Sequence, residues 1–153
     1  MRLTTMTDYA LRLLLYLGRH PERLCTTAEI AQAYGISEAH LTKITHQLGL
    51  AGWISTVRGK GGGMRLALAP QDIGLGAVVR SVEPDFQLVE CLSAENRCNI
   101  SGACRLTAVF HEALEAFLAP LDKRSLADVL GPLPGEFQPL RRAASRTRAV
   151  RPP

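Results

Sequence analysis

Residues 26–69 read TTAEIAQAYGISEAHLTKITHQLGLAGWISTVRGKGGGMRLALA, and the punctuation of this stretch decides the fold. Thr26-Thr27-Ala28-Glu29 matches a capping box, in which the first Thr and the Glu satisfy each other's orphan backbone donors at a helix start. That helix turns Ile30, Ala31 and Ala33 inward and stops at Gly35, a residue suited to the left-handed conformation that closes a helix. Ser37 caps the next helix, which runs to about Leu48 with Leu41, Ile44 and Leu48 along one stripe. Two short helices joined by a Gly-containing turn form a helix-turn-helix. After Gly52, the β-favouring runs at residues 53–57 and 64–69 flank Arg58-Gly59-Lys60-Gly61-Gly62-Gly63, whose glycines mark a hairpin tip.

Upstream, residues 7–19 place Tyr9, Leu13, Leu14, Tyr16 and Leu17 at spacings of three and four, the mark of an amphipathic helix. Thr7 or Asp8 can cap it, and His20-Pro21 ends it. Three helices followed by a two-stranded basic hairpin is the order of a winged helix, so the expected fold is mainly α with a small β-hairpin wing. Pro70 closes the wing, and residues 75–83 add a short helix packing through Leu75, Val78, Val79 and Val82.

From residue 84 to 102 the periodicity fades. Leu106, Val109, Phe110, Ala113, Leu114, Phe117, Leu118 and Leu121 then recur at three and four residues, a stripe too wide for the small winged-helix module to cover. A dimer interface is the expected use of it. Pro120 should break or kink this helix near its end, and Ser125 should cap a last short turn at residues 126–130. From Gly131 onward the chain is rich in Pro and Arg and lacks periodicity, which predicts a disordered tail.

With 153 residues, 46% of them hydrophobic and 21% charged, the chain has room for one domain with an extension and lies outside the disordered, collagen-like and membrane classes. The apolar run at residues 13–17 is too short to span a bilayer or to form a signal-peptide core, so a cytoplasmic protein is expected. The net charge of +4 is unevenly spread. Residues 1–80 hold nine Lys/Arg against five Asp/Glu, residues 81–130 four against eight, and residues 131–153 five Arg against Glu136 alone. A basic first module suits a polyanion such as DNA.

With Leu41, Ile44 and Leu48 facing inward, the outward face of the third helix carries Ala39, Thr42, Lys43 and His46, with Ser37 and Glu38 at its first turn. This set can touch phosphates, donate to bases and pack on a thymine methyl in a major groove. The wing offers Arg58, Lys60 and Arg65 on a strip with little bulk, open to close approach by phosphates or a narrow minor groove. A protein-contact role for the winged helix, with the glycines as a mere tight turn, is the plainer alternative. The missing Gly-Lys-Ser/Thr ending and the strand that follows argue against a phosphate-binding loop.

Cys91, Cys98 and Cys104 stand seven and six positions apart on the irregular stretch. Structural zinc sites pair cysteines more closely, and a cytosolic disulfide framework suits neither the compartment nor three thiols. Soft thiolates on a loop this long can wrap an iron–sulfur cluster; a thiol redox switch and ordinary structural cysteines remain open beside it. Three thiolates leave a 4Fe-4S cluster one ligand short. Cys25 stands apart and reads as a small core residue, with a redox role as its alternative.

Several motifs in one order make the chain resemble a known family over about residues 1–130. They are Arg2-Leu3-Thr4 with Asp8-Tyr9-Ala10-Leu11-Arg12, the wing from Val57 to Leu66, Leu75-Gly76-Ala77-Val78-Val79-Arg80, and the cysteine triplet. The family is the iron–sulfur winged-helix regulators of bacteria, which include the nitric-oxide-sensing NsrR repressors and the IscR regulators of cluster assembly. Thr7-Asp8-Tyr9, residues 98–106 (CNISGACRL) and Leu121-Asp122 with Leu126-Ala127-Asp128 resemble the NsrR branch more closely.

That resemblance implies a homodimeric transcriptional repressor, not an enzyme, that binds a palindromic operator in double-stranded DNA. It implies one iron–sulfur cluster per subunit, of the 4Fe-4S type, held by Cys91, Cys98 and Cys104, with a carboxylate matched by Asp8 reaching in from the other subunit. Nitric oxide is the implied signal, releasing DNA and derepressing detoxification genes. A carboxylate is a harder, weaker ligand than thiolate, which makes that iron the labile corner. On the residues alone, Asp8 reads first as a helix amino-terminal cap favoured by the helix dipole, and both roles can coexist in different states. In IscR-like chains a histidine three residues after the last cysteine can complete a 2Fe-2S site, and Thr107 stands there, with His111 one turn on.

The expected organisation is a winged helix-turn-helix DNA-binding domain at 1–83, a cluster-binding loop at 84–104, a dimerisation helix and short terminal helix at 105–130, and a disordered basic tail at 131–153. Two further readings keep the DNA and change the sensor: an IscR-like regulator of iron or cluster status with a 2Fe-2S cluster, or a thiol–disulfide switch without a cluster. An electron carrier or cluster-bearing enzyme would leave the helix-turn-helix unexplained. No membrane association is expected.

Overall fold

A computed structural model describes residues 2–93, 95–101 and 103–131, and seven helices and strands are found among these described residues. The first helix, α1 (Thr5–Arg19), begins earlier than its apolar periodicity suggests. Thr4 is its cap: the Thr4 side chain accepts the N–H of Thr7, and the Thr4 carbonyl accepts the N–H of Asp8. Neither Thr7 nor Asp8 caps the helix, because both already lie within its first turn. Thr7, Ala10, Leu13, Leu14 and Leu17 form the buried face, and the N–H of His20 closes the far end on the Leu17 carbonyl.

Helix α2 (Thr27–Tyr34) is capped by Thr26, whose hydroxyl oxygen accepts the Glu29 N–H, and ends at Gly35 with φ of 63°. Helix α3 (Glu38–Leu50) is capped by Ser37 and buries Leu41, Ile44 and Leu48, running two residues beyond its expected end. The hairpin pairs β1 (Ile54–Val57) with β2 (Gly63–Leu66) in antiparallel register, Ile54 opposite Leu66 and Val57 opposite Gly63. The second strand is shorter than its β-favouring run. Ala67 still donates to the Trp53 carbonyl, but Leu68 leaves the sheet and lies exposed, and a single turn at Pro70–Asp72 follows. Cys25 adds an unanticipated bridge on the other edge: it exchanges both backbone hydrogen bonds with Met64, at 2.9 and 2.8 Å. The Cys25 side chain is fully buried, which pushes its thiol pKa up to about 11.

Helix α4 (Leu75–Val82) buries Val78, Val79 and Val82, with Leu75 only partly covered. One core joins the buried faces of α1 to α4 with Ile54 and Met64 of the hairpin. At about 25 cal/mol per Å² of apolar surface, such a core is the main source of the module's stability.

Helix α5 (Leu106–Asp122) continues two residues past Pro120, so the proline does not break it. A proline this close to the end removes one backbone donor, and only the last turn bears the loss. The apolar stripe of α5 is divided. Leu118 is buried, Phe110, Leu114, Phe117 and Leu121 are half-buried, and Leu106 and Val109 are each 55% exposed. The covered end packs on α4, where Arg80 pairs with Asp122 and Gly76 leaves no room for a side chain beside the Asp122 carboxylate.

Past α5 the chain returns to the core. The N–H of Leu75 reaches the Arg124 carbonyl, the N–H of Leu126 reaches the Ile73 carbonyl at 2.8 Å, and both Leu126 and Ile73 are fully buried. A short turn at Ala127–Val129 follows. Ser125 does not cap it with its own oxygen. The Asp128 carboxylate instead accepts the Ser125 N–H at 2.7 Å and hydroxyl at 3.1 Å. The tail expected to be disordered lies, apart from Gly131, outside the described residues. No described helix is long and apolar enough to cross a membrane.

Candidate nucleic-acid interface and cysteine loop

The burial of Leu41, Ile44 and Leu48 turns the opposite side of α3 outward, so Ser37, Glu38, Ala39, Thr42, Lys43 and His46 are all exposed. Two of them use their hydroxyls within the helix. Ser37 accepts the His40 N–H at 3.3 Å, and Thr42 donates to the Glu38 carbonyl at 2.8 Å. Among the described residues the side chains of Lys43 and His46 form no hydrogen bond or ion pair, leaving their donors available. His40, absent from the sequence-based set, is also exposed, and its ring lies 6.5 Å from that of Tyr9 on α1. Its position beside Tyr9 depends on the α1–α3 crossing and has no local sequence signal.

Arg58, Lys60 and Arg65 are exposed around the hairpin. Gly59 and Gly61 take φ of 97° and 77°, and a Cβ at Gly62 would collide with the Val57 carbonyl. The tip is therefore bare backbone carrying two cations, a surface that a phosphate chain can approach closely.

Asp8 lies in the first turn of α1, half-exposed, with its carboxylate gripped by Arg12 one turn later: Nε to one oxygen at 3.0 Å and a terminal nitrogen to the other at 2.8 Å. The Arg12 guanidinium also sits 5.8 Å from the Tyr9 ring centroid. The spacing of four was visible in the sequence, but the significance of Arg12 was not.

Cys91 sits in the single turn Glu90–Leu92, which packs against α5. Cys98 follows an Asn96 turn in which the Asn96 side chain accepts the Cys98 N–H at 2.9 Å and Ser101 donates to the Cys98 carbonyl at 2.9 Å. Cys104 stands two residues before α5. All three are half-buried and free of disulfides. The Thr107 hydroxyl lies 3.6 Å from the Cys91 sulfur.

Among the described residues no three His, Cys, Asp or Glu side chains gather closely enough to hold a single metal ion, so the structure does not bring Cys91, Cys98 and Cys104 to one point, and Asp8, expected from the other subunit, is not placed by a single chain. A cluster asks for something else, thiolates spread around a multi-iron core. The donor set fits that chemistry: three reduced, partly exposed soft ligands on one loop, with a hydroxyl already directed at one sulfur.

Residues 3–132 match the Rrf2 family, described as an iron-dependent transcriptional regulator. The HTH-type transcriptional regulator NsrR of Geobacillus kaustophilus is 52% identical over 132 residues, covering 85% of this chain and 90% of that protein. The proteins of the same name from Halalkalibacterium halodurans and Bacillus subtilis are each 48% identical with the same coverage. Among solved structures, T. potens IscR superposes with a TM-score of 0.69 at 26% identity, covering 85% of this chain and 86% of that one. CymR, the global cysteine regulator of B. subtilis, gives the same TM-score at 23% identity, with 85% and 96% coverage, and shares the fold.

Proposed function

Because the chain belongs to the Rrf2 family of transcriptional regulators, we propose that it is a homodimeric repressor whose 4Fe-4S cluster, one per subunit, senses nitric oxide. A DNA-binding transcriptional regulator, not an enzyme, is what the relatives' names describe. The finer reading rests on one observation: three free cysteines occupy a loop that leads directly into α5, in a chain about half identical to NsrR proteins.

Cys91, Cys98 and Cys104 would hold the cluster, with Asp8 of the other subunit as fourth ligand. When bound, the cluster supplies iron that nitric oxide can attack. The chain supplies the rest. Ser37, Glu38, Ala39, Thr42, Lys43 and His46 read a major groove, and Arg58, Lys60 and Arg65 hold the flanking backbone or minor groove. Residues 1–83 act as the DNA-binding domain, 84–104 as the cluster loop, 105–130 as the dimerisation segment and 131–153 as a basic tail, in the cytoplasm where the operator is.

Asp8 lies on α1, and α1 packs on α3. A change in what the Asp8 carboxylate holds therefore reaches the recognition helix through one helix–helix contact. Freed from a partner, Asp8 has Arg12 of its own chain within ion-pair distance.

Anaerobically purified protein exposed to nitric oxide should lose its cluster absorbance and its specific operator shift together. Bleaching with undiminished binding would overturn the sensing mechanism. Four iron and four sulfide per subunit are expected. Two of each would move the assignment to an IscR-like regulator, and none would move it to a thiol switch.

A further inference from the structure

Two helical threonines of this protein donate their hydroxyls to different kinds of acceptor. Thr42 on α3 donates back to the carbonyl of Glu38, four residues earlier, as an unengaged helical threonine ordinarily does. Thr107, in the first turn of α5, instead directs its hydroxyl to the Cys91 sulfur at 3.6 Å, across 16 residues of chain. The contact is partly buried, and it is reinforced by the packing of the Glu90–Leu92 turn against α5.

We propose that Thr107 is a positioning residue for the cluster, donating a hydrogen bond to the Cys91 thiolate and thereby setting the cluster's reduction potential. This rests on the cluster reading above. A coordinated thiolate has no proton and accepts hydrogen bonds, whereas a hydroxyl can donate one. Donation draws electron density from the sulfur and stabilises the more negatively charged, reduced form, which raises the potential. The same bond ties one ligand to the helix whose exposed end carries Leu106 and Val109.

The chemistry at this position makes the role separable from packing. Valine matches the shape of threonine and lacks the donor, while serine keeps the donor and loses the methyl. Cys98 and Cys104 have no side-chain hydroxyl on their sulfur among the described residues, so the effect should fall on one ligand.

Holo wild type, Thr107→Val and Thr107→Ser would be prepared anaerobically and compared by iron and sulfide content, spectroelectrochemical titration and resonance Raman spectra of the Fe–S(Cys) stretches. Thr107→Val should hold its cluster with a lower potential and a shifted terminal Fe–S band, and Thr107→Ser should restore both toward wild type. If Thr107→Val loses the cluster altogether, retention by Thr107→Ser still supports the hydroxyl's role, and loss in both variants refutes it. Potential and Raman bands unchanged in a fully loaded Thr107→Val would also overturn the proposal. Wild type that contains no cluster would instead overturn the function proposed above.

Discussion

The carboxylate of Glu83 takes the backbone N–H of Thr4, 79 residues away, with both oxygens at 3.2 Å. It also accepts the Thr4 hydroxyl at 3.0 Å and the hydroxyl of the fully buried Thr7. One acidic side chain at the end of α4 thus completes the start of α1, immediately before the chain enters the cysteine loop.

Glu83→Ala should therefore destabilise the fold by about 1–3 kcal/mol, the usual cost of leaving buried donors unsatisfied. Glu83→Gln, which keeps an acceptor oxygen, should lose less. Urea denaturation of the cluster-free protein measures both. An alanine variant as stable as wild type would show that water replaces the carboxylate at no cost.

Asp8→Ala should behave differently. Its ion pair with Arg12 is solvent-exposed, with side-chain exposures of 48% and 43%, and such pairs contribute no more than about 1 kcal/mol. Melting of the cluster-free variant should match wild type closely, while iron is lost faster from the holo protein. A variant that melts early and keeps its iron would return Asp8 to a structural role.

Cys25 and Cys98 should separate in the opposite sense. Cys25→Ser places a hydroxyl in a fully buried site and should lower stability with iron content unchanged. Cys98→Ala, at a half-buried loop position, should leave folding intact and abolish iron retention and gas-dependent operator release. Normal regulation in Cys98→Ala would remove the cluster from the account.

On DNA, Lys43→Ala and Arg58→Ala should weaken binding across sequences and each reduce the slope of log affinity against log salt by about one, if each contacts a phosphate. A substitution in a base-reading residue should instead relax preference at one operator position. Fluorescence anisotropy across a salt series distinguishes the two.

The local parts of this fold were legible because their signals are local. Thr26 with Glu29, Gly35 and Ser37 each act within four residues, and the wing glycines all fall between residues 59 and 63. What escaped depends on distant partners. The sequence reading places the cap of α1 at Thr7 or Asp8, whereas Thr4 caps it, held in place by Glu83 from 79 residues away. The bridge between Cys25 and Met64, and the contact between Thr107 and Cys91, require the completed tertiary structure. The α5 stripe was read correctly as apolar, but periodicity alone could not show that Leu118 lies buried within the same chain.

Acid should loosen the far end of α5. Hydrogen bonding to Arg80 holds the Asp122 carboxyl below its usual range, so its contribution is complete above the ordinary aspartate pKa and is lost as pH falls through the lower folded value. The stability difference between wild type and Asp122→Asn should therefore shrink below about pH 4. A constant difference across that range would mean that the two side chains act through packing alone.

The return of the chain after α5, with Leu126 sealed beside Ile73 and Leu130 lying over Gly18, closes each subunit on itself. A polypeptide locked at that latch cannot lend its long helix to a neighbour without first opening its own interior. In the homodimer proposed above, two finished bodies would therefore meet without an exchange of arms, and the extent of pairing should rise with concentration while the monomer's architecture stays the same.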